Sequence, residues 1–291
     1  MGNRADFLPG HGNPSPIFSR THEHMKRFVL LILISCAANQ ASIAETSDLS
    51  AHDIAKLLQN PLADTISLPF ANDTNFPLGP DRRAGNVLNI QPVIPFRLNS
   101  DWNLVTRTTV PLISQPRLSP SDPATFGLGD IVPMAVLSPS TASNVTWGLG
   151  ATFSIPTATS SSLGANRWAA GPAAVVLTMP DPWVFGLLVS HLRSFSGSSS
   201  GARIDRTAAQ YFVIYNFPSG WFLSSTPIIA ADWAAKSSAR WTVPVGGEIG
   251  KVFNLSGQAM SASIGLYRNV IRPADSPDWQ VRLNVSFVFP R

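Results

Sequence analysis

The chain has a single cysteine, Cys36, in 291 residues, and only 13% of its residues carry charge. One cysteine excludes a fold stapled by internal disulfides. Soluble domains run at about 25% charged residues, so a surface fully exposed to water is not the first expectation. Glu and Lys are sparse while proline is frequent (25 residues), which excludes a coiled coil. Histidine is also scarce. Only His52 and His191 lie after residue 44, and neither is flanked by carboxylates at metal-ligand spacing. No run after residue 45 is long and apolar enough to cross a membrane as a helix, which takes about 20 residues. Disorder is excluded by the other side of the balance: 44% of residues are hydrophobic and the mean hydropathy is +0.12.

A pI of about 9.6 raises the question of nucleic acid. Residues 1–44 hold Arg4, Arg20, Lys26 and Arg27 against Asp6 and Glu23, a net +2, and the remainder is again only +2. No Lys/Arg cluster of the kind that follows a phosphate backbone occurs, so no nucleic-acid partner is expected.

The N-terminal region reads as an address. Met25-Lys26-Arg27 precedes the apolar run Phe28 to Ile34, and Ser42-Ile43-Ala44 supplies a small-x-small site. This is the pattern of a secretory signal peptide over 25–44. Residues 1–24 lack it and are read as a non-native N-terminal extension. Leu33-Ile34-Ser35-Cys36 looks like a lipobox and offers lipidation of Cys36 as an alternative to cleavage after Ala44.

After residue 63 the sequence is all β. Segments rich in Val, Ile, Thr and aromatics recur between Gly, Pro, Asn, Asp and Ser punctuation. They predict twelve strands: 64–71, 85–97, 102–113, 128–138, 145–155, 167–179, 183–194, 205–217, 220–231, 239–252, 258–270 and 279–290. The last one alternates, with Trp279, Val281, Leu283, Val285, Phe287 and Phe289 on one face and Gln280, Arg282, Asn284 and Ser286 on the other. A period of two with one apolar face is a half-buried strand.

Short connections (98–101, 139–144, 180–182, 218–219, 253–257) alternate with mostly longer ones (72–84, 114–127, 156–166, 195–204, 232–238, 271–278). In an up-and-down barrel this puts all short turns at one end, as in outer-membrane barrels. The eight tryptophans agree. Trp102, Trp147, Trp183 and Trp221 start strands after short turns, and Trp168, Trp233, Trp241 and Trp279 lie beside long loops, so two aromatic belts are expected. Residues 64–291 are therefore read as an antiparallel up-and-down transmembrane β-barrel of about twelve strands. Residues 45–63 precede it either as a short helix, with Ser50 and Asp53 in a capping arrangement, lodged in the lumen or at the rim, or as a frayed tether.

Several stretches resemble a family of bacterial outer-membrane transporters named for the meta-pathway of phenol degradation. They are Asn89-Ile90-Gln91-Pro92-Val93-Ile94-Pro95-Phe96 with Asp101-Trp102-Asn103-Leu104, Gly127-Leu128-Gly129-Asp130-Ile131, and Pro156-Thr157-Ala158-Thr159 with Leu163-Gly164. Gly171-Pro172 and Tyr267-Arg268-Asn269-Val270 with Arg272-Pro273 and Asp278-Trp279-Gln280 complete the set. The resemblance covers most of 50–291. It implies an outer-membrane barrel that passes small aromatic or other hydrophobic compounds, with the outer-membrane assembly machinery as partner. The family's terminal aromatic is displaced here, since Pro290-Arg291 follow Phe289.

The expected function is a passive channel for small molecules, including organic anions, in the lipid bilayer of the outer membrane. Asn89, Gln91, Arg97, Asn103, Arg107, Gln210, Asn216, Arg268, Gln280, Arg282 and Asn284 are expected to line the pore, with Glu248 and Asp232 among few nearby acids. A basic lining favours anions. No cofactor, metal or catalytic residue is expected. The alternatives are a lipase-like barrel hydrolase built around His191 and a non-transporting structural or adhesive barrel. Gly197-Ser198-Ser199-Ser200-Gly201 matches G-x-S-x-G only formally, because no helix follows it.

Overall fold

The computed structural model describes residues 51–141, 143–197 and 201–289. The proposed signal peptide, Cys36, Ser50, the side chains of His52 and Asp53, and the centre of the Gly197–Gly201 stretch lie outside them. One helix, α1 (Ala51–Gln59), precedes twelve antiparallel strands that close on themselves. In chain order these are β1 (Ile66–Leu78), β2 (Arg83–Ile90 with Val93–Arg97), β3 (Trp102–Gln115), β4 (Thr125–Leu128 with Val132–Pro139), β5 (Val145–Ser154) and β6 (Arg167–Thr178). The rest are β7 (Trp183–Gly197), β8 (Asp205–Asn216), β9 (Trp221–Ser225 with Ile228–Asp232), β10 (Trp241–Leu255), β11 (Gln258–Ile271) and β12 (Trp279–Phe289). Every strand pairs with its neighbours in sequence. The last pairs with the first from Ile66↔Phe289 to Phe76↔Trp279. Closure leaves no free edge to pair with another chain.

Three strands are interrupted. Two of the breaks fall at Gln91-Pro92 and Thr226-Pro227, where proline removes a ladder donor. The third, at 129–131, is bridged by Ile131↔Ile155.

β1 departs most from expectation. It runs on to Leu78, so the predicted loop 72–84 shrinks to a turn at 79–82. Asn72-Asp73-Thr74-Asn75 reads as a turn by composition. Here its backbone is paired on both sides, and its outward side chains satisfy each other. Asn72 and Asn86 exchange two amide hydrogen bonds (3.0 and 2.8 Å), and Asn86 Nδ2 also donates to Thr74 Oγ1 at 2.9 Å.

The outer wall is apolar between two rims. Trp102, Trp147, Trp183 and Trp221 stand exposed at the short-turn end, and Trp168, Trp233, Trp241 and Trp279 at the long-loop end. Trp102 meets Trp147 edge to face, as Trp233 meets Trp241. Basic side chains lie over three of these rings: Lys251 over Trp221, Arg240 over Trp233 and Arg268 over Trp279. Such a side chain lays its stem on apolar wall and holds its charge at the rim.

Candidate functional site

The interior of the barrel has two tiers. At the short-turn end most of the inward side chains are apolar. Val93, Val105, Val136, Val175, Leu177, Val184, Ile214, Phe222, Val252 and Val288 come from strands all around the barrel and form one buried cluster with Ile54, Ala55 and Leu62. A helix segment that shares a cluster with strands on every side lies inside the ring. The N-terminal segment therefore occupies the lumen at the short-turn end. Gln59 fixes its far end by two amide hydrogen bonds with Asn216, at 2.8 and 2.9 Å. Lys56 Nζ reaches Asp181 in the β6–β7 turn at 3.3 Å. Beyond Gln59, Asn60 Oδ1 accepts from the Leu62 backbone N–H at 2.9 Å, and Pro61 ends the helical run.

Above this floor lies a polar tier centred on Arg282, Asp73 and Glu248. Arg282 Nε donates to Asp73 Oδ1 at 2.7 Å, and its Nη1 lies 3.8 Å from Glu248 Oε1. Glu248 is surrounded by donors: Tyr267 OH at 2.7 Å, Thr226 Oγ1 at 3.1 Å, Ser263 Oγ at 2.8 Å and Asn284 Nδ2 at 2.7 Å. The guanidinium also lies over the Tyr267 ring, 5.2 Å from its centroid. All of these groups are buried or half-buried, and a buried charge is tolerated only when it is paired and hydrogen-bonded. Room for the carboxylate comes from its cross-strand partner Gly265, where an added Cβ would fall 2.3 Å from Glu248 Cγ.

Most of the expected lining residues fall on the inward face. Asn284, Arg282 and Gln280 alternate down β12 into the polar tier, with Gln280 beside Tyr267. Gln210 Nε2 donates to Thr226 O at 3.1 Å. Arg107 lies on the same face, its Cα partners being Val93 and Met134, and its Nη2 donates to Gln91 Oε1 at 2.6 Å. Asn89 pairs with Ala71 in the register that turns Asp73 inward. Arg97 and Asn103 are partners at the short-turn end, below the polar tier. Asn216 is taken by the helix.

Arg268 corrects the expectation. It shares the outward face with Val245 and Trp279, and a one-residue step from buried Tyr267 puts it on the wall rather than in the lumen. Alternation holds along β11, with Tyr267 rather than Arg268 in its inward phase. Asp73, Tyr267, Thr226 and Ser263 were not among the expected lining residues. Glycines around Glu248 (Gly246, Gly247, Gly250) were the available signal of a crowded charge.

The long-loop end is tied down. Asp130 accepts the backbone N–H groups of Ala158 (3.2 Å) and Ala165 (2.8 Å), and Thr157 Oγ1 accepts from Ile131 N and donates to Gly129 O. The segments 127–131 and 156–164, separate in sequence, thus form one unit at the β4 break. Arg272 does the same for the β11–β12 loop, donating to the carbonyls of Pro273, Ala274 and Ser276 and pairing with Asp278. Arg117 clamps Asp81 through Nε and Nη2 at 2.6 and 2.8 Å. That hydrogen-bonded pairing holds the Asp81 carboxyl below its usual range.

His191 faces outward at the long-loop rim, across from Thr207. Its Nδ1 is 3.0 Å from Thr207 Oγ1, and its Nε2 is 3.6 Å from Asp205 Oδ1. Trp233 Nε1 donates to the same hydroxyl at 2.8 Å. Among the described residues no three His, Cys, Asp or Glu side chains cluster as metal ligands would.

The barrel can be set beside solved structures. The COG4313 outer membrane channel from Pseudomonas putida F1 superposes with a TM-score of 0.59 at 18% identity, over 79% of this chain and 97% of that one. The fold is shared. The Salmonella typhi outer membrane phospholipase dimer with bound calcium matches at TM-score 0.41 and 13% identity, over 83% and 98% of the two chains. The P. putida toluene transporter TodX matches at 0.41 and 10%, over 81% and 94%. Neither of these two likenesses is close enough to carry an argument. No family model matches the chain, and no curated protein matches it in sequence.

Proposed function

We propose that the chain is an outer-membrane channel for small molecules, with aromatic or other hydrophobic compounds and organic anions as the solutes it admits. The observation that carries this reading is the two-tier lumen: a polar mid-section built from Arg, Asp, Glu and amides stands on an apolar floor. A barrel that only had to be filled would need no buried charges, which are costly to install. The rims of tryptophan and the apolar wall between them suit a bilayer, with short turns in the periplasm and long loops outside. The motifs that resemble the meta-pathway transporter family support the same reading, because several of them pin the long loops and one interrupts β2.

Planar-bilayer recording of the purified protein tests it. Single-channel steps are expected, larger without residues 45–63. Their absence from both forms sinks the channel.

A second reading, a hydrolase on the outer wall, draws on His191 between Thr207 and Asp205. Turnover of ester or phospholipid substrates that is lost in His191→Ala would establish it in place of the channel. An adhesive barrel has less support, since the loops are short and tied to the strands beneath.

A further inference from the structure

We infer that Arg107 is a binding post for the carboxylate of a small organic anion with an apolar body. The inference rests on the channel reading and names the solute class for its lumen.

The guanidinium groups of Arg282 and Arg107 differ in their company. Arg282 has Asp73 at 2.7 Å and Glu248 at 3.8 Å. Arg107 has no carboxylate within 4 Å among the described residues. Its one hydrogen bond goes to a neutral acceptor, Gln91 Oε1 at 2.6 Å. The nearby acids are engaged elsewhere: Asp73 by Arg282, and Glu248 by four uncharged donors. Among the described residues the Nε–H and Nη1–H groups of Arg107 have no acceptor, and neither nitrogen is fully buried. A half-buried guanidinium with free donors is a poor structural element, since leaving such a group unpaired costs free energy. It is a good anion receptor, because Gln91 takes only one of the two Nη2 hydrogens and the other still forms a planar fork with a neighbouring free N–H that matches a carboxylate with two parallel hydrogen bonds.

The flanks set what the rest of the ligand is. Arg107 stands between its register partners Val93, buried in the floor cluster, and Met134, which packs against that cluster. A ligand whose carboxylate takes the free donors has apolar surface directly below. Benzoate has both parts. Formate has only the charge, and benzyl alcohol only the ring.

The test is titration of the full detergent-solubilised chain with benzoate by calorimetry, alongside formate and benzyl alcohol. Benzoate is expected to bind, with formate and benzyl alcohol each at least tenfold weaker. Arg107→Gln is expected to weaken benzoate at least tenfold, and Arg107→Lys to recover part of the loss. Arg268→Gln, on the outer wall, is expected to leave binding unchanged. Equal binding by wild type and Arg107→Gln overturns the inference, as does no benzoate binding at millimolar concentration. Retained heat modifiability in gels shows that Arg107→Gln is folded. Because calorimetry needs no conductance, benzoate binding by a barrel that never opens would refute the channel and leave the post standing. A conducting barrel indifferent to benzoate would do the reverse.

Discussion

Arg282 and Asp73 lie 209 positions apart and meet at 2.7 Å across the seam where the last strand closes on the first. The contact cannot form until β12 has found β1, so it reports closure in a way that no neighbouring-strand contact does. Replacing Arg282 by Met strands Asp73 and leaves Glu248 without the only cation beside it among the described residues. The expected cost is about 3 kcal/mol or more, as for other half-removed buried pairs. Guanidinium unfolding of the refolded barrel measures it. The triple variant Asp73→Asn, Glu248→Gln, Arg282→Met is expected to lose less than the single one, because no orphan charge remains.

The wall and the lumen should respond oppositely to the same substitution. Leu283→Arg puts a charge on the apolar wall about midway along β12, at an expected cost of about 2–4 kcal/mol. Gln280→Arg, on the inward face of the same strand, is expected to leave stability nearly unchanged. Equal losses in a bilayer-folding titration would show that the facing of β12 is wrong.

Much of this architecture was legible beforehand, and the reasons differ by element. Strands such as β5 and β12 alternate cleanly because one face is wall and the other lumen, so their boundaries could be read to within a residue or two. Tryptophan marked both rims. The upper half of β1 could not be read, because Asn72, Thr74 and Asn86 satisfy each other across strands, and composition alone cannot show that partner. The site was half legible. Inward polar residues could be sorted by alternation, but a one-residue error of phase turned Arg268 from wall to pore. The apolar floor escaped notice because Val105, Val136, Val252 and Val288 look like wall residues until the helix that covers them is placed.

The helix is held in the lumen by few polar contacts. Gln59→Leu removes both amide bonds with Asn216, about 1–2 kcal/mol of hold on the usual net worth of such bonds. More frequent and longer open events in single-channel records are expected. Deleting residues 45–63 should give a permanently larger conductance.

Asp130 organises the β5–β6 loop by accepting two backbone N–H groups. Asp130→Ala leaves both without their acceptor, which costs about 1–3 kcal/mol where they stay buried. Faster protease cleavage within 156–166, with the barrel itself intact, is the expected outcome.

The Asp81–Arg117 clamp adds a pH dependence of known sign. The folded carboxyl titrates below its ordinary value, so the tie is fully present above that value. It is lost as pH falls through the lowered folded one. Hydrogen exchange in 116–124 should therefore rise, relative to the intrinsic rate, only in strong acid. Asp81→Asn should abolish that step. The pair is exposed, so added salt should blunt it.

The lumenal helix is joined to the barrel by only the six residues 60–65, which extend to roughly 20 Å at most. This leash is anchored at the short-turn end, where β1 begins. The leash therefore enters the lumen from the same end at which the helix sits. On the channel reading, a solute coming from the long-loop side would meet the guanidinium groups before the helix. The order of encounter follows from which end of β1 carries the leash.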